Sequence, residues 1–121
     1  ALKDPKLPFK RGYVSFAGGG PHSRTTQTFI AFKDSDFLGQ APWETPFGYV
    51  NAKDMKKVVD RFYSGYGDMQ DFGGRAPEQA RIANEGGRYL ESEFPDIDYI
   101  EDCVMGRSFK AKKLIHKAEE K

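Results

Sequence analysis

The chain has 121 residues, 38% hydrophobic, 31% charged and 14% aromatic, with a formal net charge of +1. That length holds one domain at most, and the composition reads as soluble and globular rather than disordered. A near-neutral balance gives no overall field for nucleic acid or a membrane surface, and no apolar run approaches the roughly 18 residues of a spanning helix.

Residues 1–11 form a basic, proline-containing lead-in. Pro5 and Pro8 discourage a helix, and Lys3, Lys6, Lys10 and Arg11 make it locally positive. It is a solvated arm or, alternatively, a docking site. The chain opens on Ala rather than Met. The expectation is therefore a processed chain, a fragment, or the ordered part of something longer, in the cytoplasm or in an organelle after processing. Residues 13–16 read as a strand, and a polar loop over 17–26 follows. That loop holds Gly18, Gly19 and Gly20, which let the backbone take φ > 0 or admit a close approach. No strand–GxxxxGK[ST]–helix context surrounds them, which argues against a phosphate loop. His22 is expected to be exposed. The other histidine, His116, is remote in sequence and no cysteine pair is near, so neither a metal nor a cofactor is expected.

Residues 27–32 alternate like a half-buried strand. Thr28, Ile30 and Phe32 share one face, and Gln27, Phe29 and Ala31 share the other. The second face sets an aromatic ring beside an amide that both donates and accepts hydrogen bonds, the makeup of a small binding site. Residues 33–40 carry turn chemistry in Asp34, Ser35, Asp36 and Gly39. The spacing of a calcium loop is not met. Phe37 and Leu38 in this turn either fold onto the core or line a site. Trp43 lies between Pro42 and Pro46, and 47–50 reads as a short strand.

The clearest helix spans 54–63, with Met55, Val58, Val59 and Phe62 at i, i+3, i+4 and i+7, a stripe that reads as core. Asp54 or Asn51 can cap it, and Gly65 is the expected stop. A glycine-containing loop covers 68–76. A second helix is expected over 77–84, interrupted at Gly86 and Gly87, with another turn or two over 88–94. Residues 99–105 read as the last strand. It holds the single cysteine, Cys103, which excludes an internal disulfide framework and is expected to be a packed thiol. Residues 106–121 are a basic tail with a thin apolar stripe at Leu114 and Ile115. It is a solvated helical tail or a docking helix. Nucleic acid is not expected as a partner, because the charge is local and no stacking platform accompanies it.

The stretch Ser15-Phe16-Ala17-Gly18-Gly19-Gly20-Pro21, followed by Gln27-Thr28-Phe29-Ile30, resembles the central signature of cyclophilins, the prolyl isomerases. The resemblance runs on through Phe37-Leu38, Pro46-Phe47-Gly48, Ser64-Gly65-Tyr66-Gly67, Gly74-Arg75, Glu85-Gly86, Tyr89-Leu90, Phe94-Pro95 and Asp98-Tyr99-Ile100. It covers roughly residues 8 to 105, within an expected domain of 12–105. The fold it implies is mainly β with helices. The family's antiparallel barrel is closed and eight-stranded, with a helix capping each end. This chain offers about four of those strands and the second capping helix. Half a barrel leaves open edges, so an upstream piece or a partner chain is expected to complete it.

The resemblance implies binding of Xaa-Pro peptide segments and their cis-trans isomerisation, helping protein folding. Rotation about a peptide bond faces a barrier of about 18–20 kcal/mol from C–N resonance. A catalyst needs neither nucleophile nor cofactor; it must hold the ring and favour the twisted state. The implied catalytic residues are Gln27, which would bond substrate backbone, and Phe29, which with Leu38 would form the floor and wall of a proline pocket. Ala17 and Gly18 would pair with extended substrate, Phe37 would pack on it, and Thr25 would border the neighbouring pocket. Three departures from the family pattern stand out. Gly18 replaces the usual Asn. Glu44 falls where a pocket histidine is usual, with Trp43 beside it able to close the pocket. The catalytic arginine lies in an N-terminal half that this chain does not contain. The alternative is therefore a non-catalytic, cyclophilin-like structural subunit of a larger assembly.

Overall fold

The computed structural model describes residues 8–105. They form a small α/β structure with a three-stranded, open antiparallel sheet and three α-helices. The strands are β1 (Tyr13–Phe16), β2 (Thr28–Ile30) and β3 (Gly48–Tyr49), and the helices are α1 (Ala52–Lys57), α2 (Gln79–Glu85) and α3 (Gly87–Glu93). None of these helices is long and apolar enough to cross a membrane. The described residues divide into two compact units, one ending at Phe62 and the other beginning at Tyr63.

In the first unit the strand order is β2-β1-β3, so β1 is central and β2 and β3 are edges. Val14 pairs with both Ile30 and Gly48, and Ser15 pairs with Phe29. Single bonds carry the pairing past the strand ends: Gly12 N donates to Ala31 O at 2.7 Å, Ala17 N to Gln27 O at 3.0 Å and Val50 N to Gly12 O at 2.8 Å. The expected strands over 27–32 and 47–50 are thus realised at their centres. Gly12 has φ +93°, and a Cβ there would run into the Val50 carbonyl oxygen. Only glycine lets the sheet close around it.

The core of this unit contains Phe9, Ser15, Ala31, Met55 and Val59. Phe9 corrects the reading of the lead-in as a solvated arm throughout. It is 1% exposed, its ring stacks on Phe29 at 5.5 Å, and it meets Tyr13 edge-on at 6.3 Å. Its backbone exchanges two hydrogen bonds with Ser35, at 3.2 and 2.8 Å. The neighbouring Arg11 is also engaged. Its main-chain N–H donates to Asp34 Oδ1, and its guanidinium to the Phe32 carbonyl and to both Asp60 carboxylate oxygens. The buried Ser15 hydroxyl donates to Thr45 O at 3.2 Å.

Helix α1 starts at Ala52, earlier than expected, because Asn51 is its cap: Asp54 N donates to Asn51 Oδ1 at 2.9 Å. It stops at Lys57, far short of Gly65. Val58 leaves helical geometry at φ −120°, ψ −66°, and a 3₁₀ turn, Val59–Arg61, follows. The apolar stripe is therefore only half core. Met55 and Val59 are buried, whereas Val58 is 53% and Phe62 45% exposed, since the i+3/i+7 phase fails once the helix breaks.

The second unit packs around Tyr89 and Phe94, whose rings meet edge-on at 5.6 Å. Tyr66 meets Phe94 edge-on at 5.0 Å, and Tyr63 meets Tyr66 at 5.1 Å. Two arginines cover this cluster. Arg75 lies 4.8 Å over Phe94 and donates to the Glu93 carbonyl, and Arg81 lies 4.0 Å over Tyr89. Arg81 also pairs with Glu85 and Glu93. The hydrogen bond to Glu85 raises the Arg81 pKa, and the same bond holds the Glu85 carboxyl below its usual value. Gly86, at φ +61°, separates α2 from α3 as the sequence suggests.

Residues 99–105 correct another expectation: they form no strand. Tyr99, Ile100, Val104 and Met105 are all more than half exposed, and Cys103 is an exposed free thiol rather than a packed one. β-Branched and aromatic residues favour a strand only where an edge receives them, and none pairs with this segment among the described residues. The sheet accordingly has three strands rather than about four. The proposed tail, residues 106–121, lies outside the described residues, as do residues 1–7.

Candidate functional site

Two groups of side chains in the first unit gather the residues singled out by the sequence. The first lies on one face of the sheet. Ser15 pairs with Phe29, and Ala17 N bonds Gln27 O, so Gln27, Phe29, Ser15 and Ala17 share a face by alternation. Gln27 is exposed and binds Ala17 through its main chain, which leaves its amide side chain facing solvent. Phe29 is half-buried, with the Phe9 ring stacked on it at an interplanar angle of 22°.

The turn carrying Phe37 and Leu38 is tied to this face through Phe9, which pairs with Ser35 and stacks on Phe29. Ser35 Oγ accepts from Leu38 N at 3.3 Å. Leu38 is half-buried, whereas Phe37 is 85% exposed, so the two divide the alternatives left by the sequence. Glu44 acts on the same turn. Its Oε2 accepts from Gly39 N at 3.2 Å, and Gly39 has φ +81°. A carboxylate at this position therefore holds a backbone turn instead of standing free.

The second group is a groove of about 590 Å³ lined by Pro21, His22, Arg24, Pro42 and Trp43. Trp43 is half-buried on a 3₁₀ turn, Pro42–Glu44, which Thr45 closes by donating from Oγ1 to Pro42 O at 2.9 Å. On the opposite side, Ser23 Oγ donates to Gly20 O at 2.6 Å and accepts from Gly20 N at 3.0 Å, which shapes the loop. His22 is exposed, as expected, and holds the left-handed φ of +57°. Gly18 joins loop and groove: a Cβ there would sit 3.7 Å from Trp43 Cδ1 and 3.0 Å from Ser23 Oγ. The tight neighbour is the Ser23 hydroxyl; the indole would meet such a Cβ only in ordinary van der Waals contact. Thr25 follows the groove residues in the chain and is exposed.

The structure thus brings Gln27, Phe29 and Ala17 together on a sheet face and links Leu38 to them through Phe9. It puts Trp43 and Gly18 at the groove instead. Sequence reasoning missed Phe9, Pro21, Arg24 and Pro42. Phe9 gave no signal because an isolated apolar residue between Pro8 and Lys10 has no period. The Pro-His-Ser-Arg run facing Pro-Trp offered only composition. No group of three or more His, Cys, Asp and Glu among the described residues is placed to hold a metal. Chemically, the sheet face offers an apolar ring beside an exposed amide, and the groove offers an aromatic wall beside a cation. Compared with protein-family models, curated proteins and solved structures, the chain has no match.

Proposed function

We propose that this chain is part of a cyclophilin-type prolyl isomerase and that its sheet face binds extended Xaa-Pro segments. The observation that carries the reading is the register of β1 and β2. It sets an exposed amide, Gln27, and a half-buried ring, Phe29, beside Ala17 on one face. A proline ring on Phe29 and a hydrogen bond from Gln27 to substrate backbone would fix the peptide on both sides of the bond that turns. Holding those groups favours the twisted amide, and each tenfold in rate requires about 1.4 kcal/mol of such preference. The open edges at β2 and β3 are where further strands of the same protein or a partner chain would complete a barrel. The arginine that the family uses would come from that piece.

A second reading, a non-catalytic cyclophilin-like subunit of a larger assembly, is favoured by two contacts. Phe9 already stacks on the ring a proline would use, and Glu44 is spent on Gly39. Prolyl exchange in a short Xaa-Pro peptide, followed by NMR with and without cyclosporin, separates the two. Accelerated exchange that cyclosporin suppresses supports the enzyme. Peptide binding without acceleration, in native protein with its partners present, supports the structural subunit.

A further inference from the structure

We propose that the groove between the 21–24 loop and the Pro42–Glu44 turn binds the acidic side chain of an extended peptide. The lining residues are all apolar or positively chargeable: Trp43, Pro21 and Pro42 are its walls, and Arg24 and His22 are its polar groups. No carboxylate pairs with Arg24 among the described residues. Its guanidinium is instead laid 5.6 Å over the Phe16 ring, whose other neighbour is Phe47 at 5.0 Å. That contact leaves the planar donor fork unsatisfied while restraining where it sits. A guanidinium so placed meets a carboxylate with charge-assisted bonds that an amide cannot match.

The volume, about 590 Å³, lies within the range of small-ligand sites and suits a short peptide segment. The walls add to this. Two proline rings and an indole give flat apolar contact to the stem of a Glu or Asp residue and to the main chain beside it. Nucleic acid is the poorer occupant. It is held by many phosphate contacts, and the groove offers one guanidinium and one imidazole on a chain of net charge +1. The recognition is of charge and does not rest on the prolyl reading.

Trp43 is the single tryptophan of the chain, so its emission reports on the groove directly. The full chain is titrated with a capped Ala-Glu-Pro-Glu-Ala peptide, with its glutamine-for-glutamate counterpart, and with an alanine-for-proline version of each. The acidic peptide is expected to give a saturable change, and the glutamine peptide to bind about fivefold more weakly or less tightly still. Arg24→Gln is expected to erase that difference with an unchanged far-ultraviolet circular dichroism spectrum, because Arg24 is exposed. The same charge preference in the proline-free pair keeps this inference standing even where prolyl binding fails. Equal affinity for acid and amide, no saturable change with any peptide, discrimination retained in Arg24→Gln, or tighter binding of an oligothymidylate would each overturn it.

Discussion

Truncating Phe9 tests whether the first unit is built as described. The ring is buried to 1% exposure, stacks on Phe29 and edges onto Tyr13. Removing a buried Phe side chain costs about 3–5 kcal/mol, from lost transfer energy and the cavity left behind. A unit of this size has a total stability of only several kcal/mol, roughly 0.05–0.15 per residue. Phe9→Ala is therefore expected to leave little of its folded state. Phe9→Leu gives the graded answer. It keeps most of the apolar volume and loses two aromatic pairs, each worth about 0.5–1.5 kcal/mol beyond area burial, so the expected loss is about 1–3 kcal/mol. Trp43 lies in this unit, so urea unfolding followed by its emission reads the unit itself. With a slope of about 1 kcal/mol per molar urea, Phe9→Leu should lower the midpoint by about 1–3 M, and Phe9→Ala should abolish the transition. Pro8→Ala, one residue away and exposed, should leave it unchanged. A midpoint shift below about 0.3 M in both Phe9 variants would refute the placement of Phe9 in the core.

Gly12→Ala should destabilise the same unit by about 2 kcal/mol or more, from its positive φ and the collision with the Val50 carbonyl. Gly19→Ala, with open space around it, should be close to neutral by the same assay. Asn51→Ala should cost about 1 kcal/mol through the lost cap of α1, and Asn51→Ser should recover part of it, whereas Asn51→Asp should not, because the Asn51 amide also donates to the Asp54 carboxylate. In the second unit the Glu85 carboxyl is held below its usual pKa by the Arg81 hydrogen bond. The stability from that pair is present above the ordinary glutamate value, about 4.3, and is lost as pH falls through the lower folded-state value. Melting curves of the parent chain and Glu85→Gln should thus differ at neutral pH and converge in acid. A constant gap across the range would contradict this.

What the sequence reveals and what it hides have physical reasons. Strand β1 matches its expected span because Tyr13–Phe16 is central and paired on both sides. Strand β2 is shorter than its alternating pattern, because as an edge strand it pairs only where β1 reaches it. Helix α1 was legible as a helix through Met55 and Val59, but its end was not. Nothing in the residue types around Val58 announces a break into a 3₁₀ turn. The glycine between α2 and α3 was legible, since a positive φ there needs it. Residues 99–105 failed in the other direction. Their strand propensity is real, but propensity does not supply a partner edge. For the candidate site, alternation alone put Gln27 and Phe29 on one face, and the register agrees. The groove was not legible. Its lining joins two loops distant in sequence, and proximity of that kind leaves no local pattern.

Under the proposed function, the face bearing Gln27 and Phe29 recognises proline. The most direct measurement is a titration of isotope-labelled full chain with a capped Ala-Ala-Pro-Ala peptide, observed by amide chemical shifts. The account predicts saturable shifts at the Gln27 side-chain amide and at the backbone of Ala17, Gly18 and Phe29, absent with an Ala-Ala-Ala-Ala peptide. Shifts that ignore the proline, or that leave Gln27 and Phe29 untouched, would contradict it.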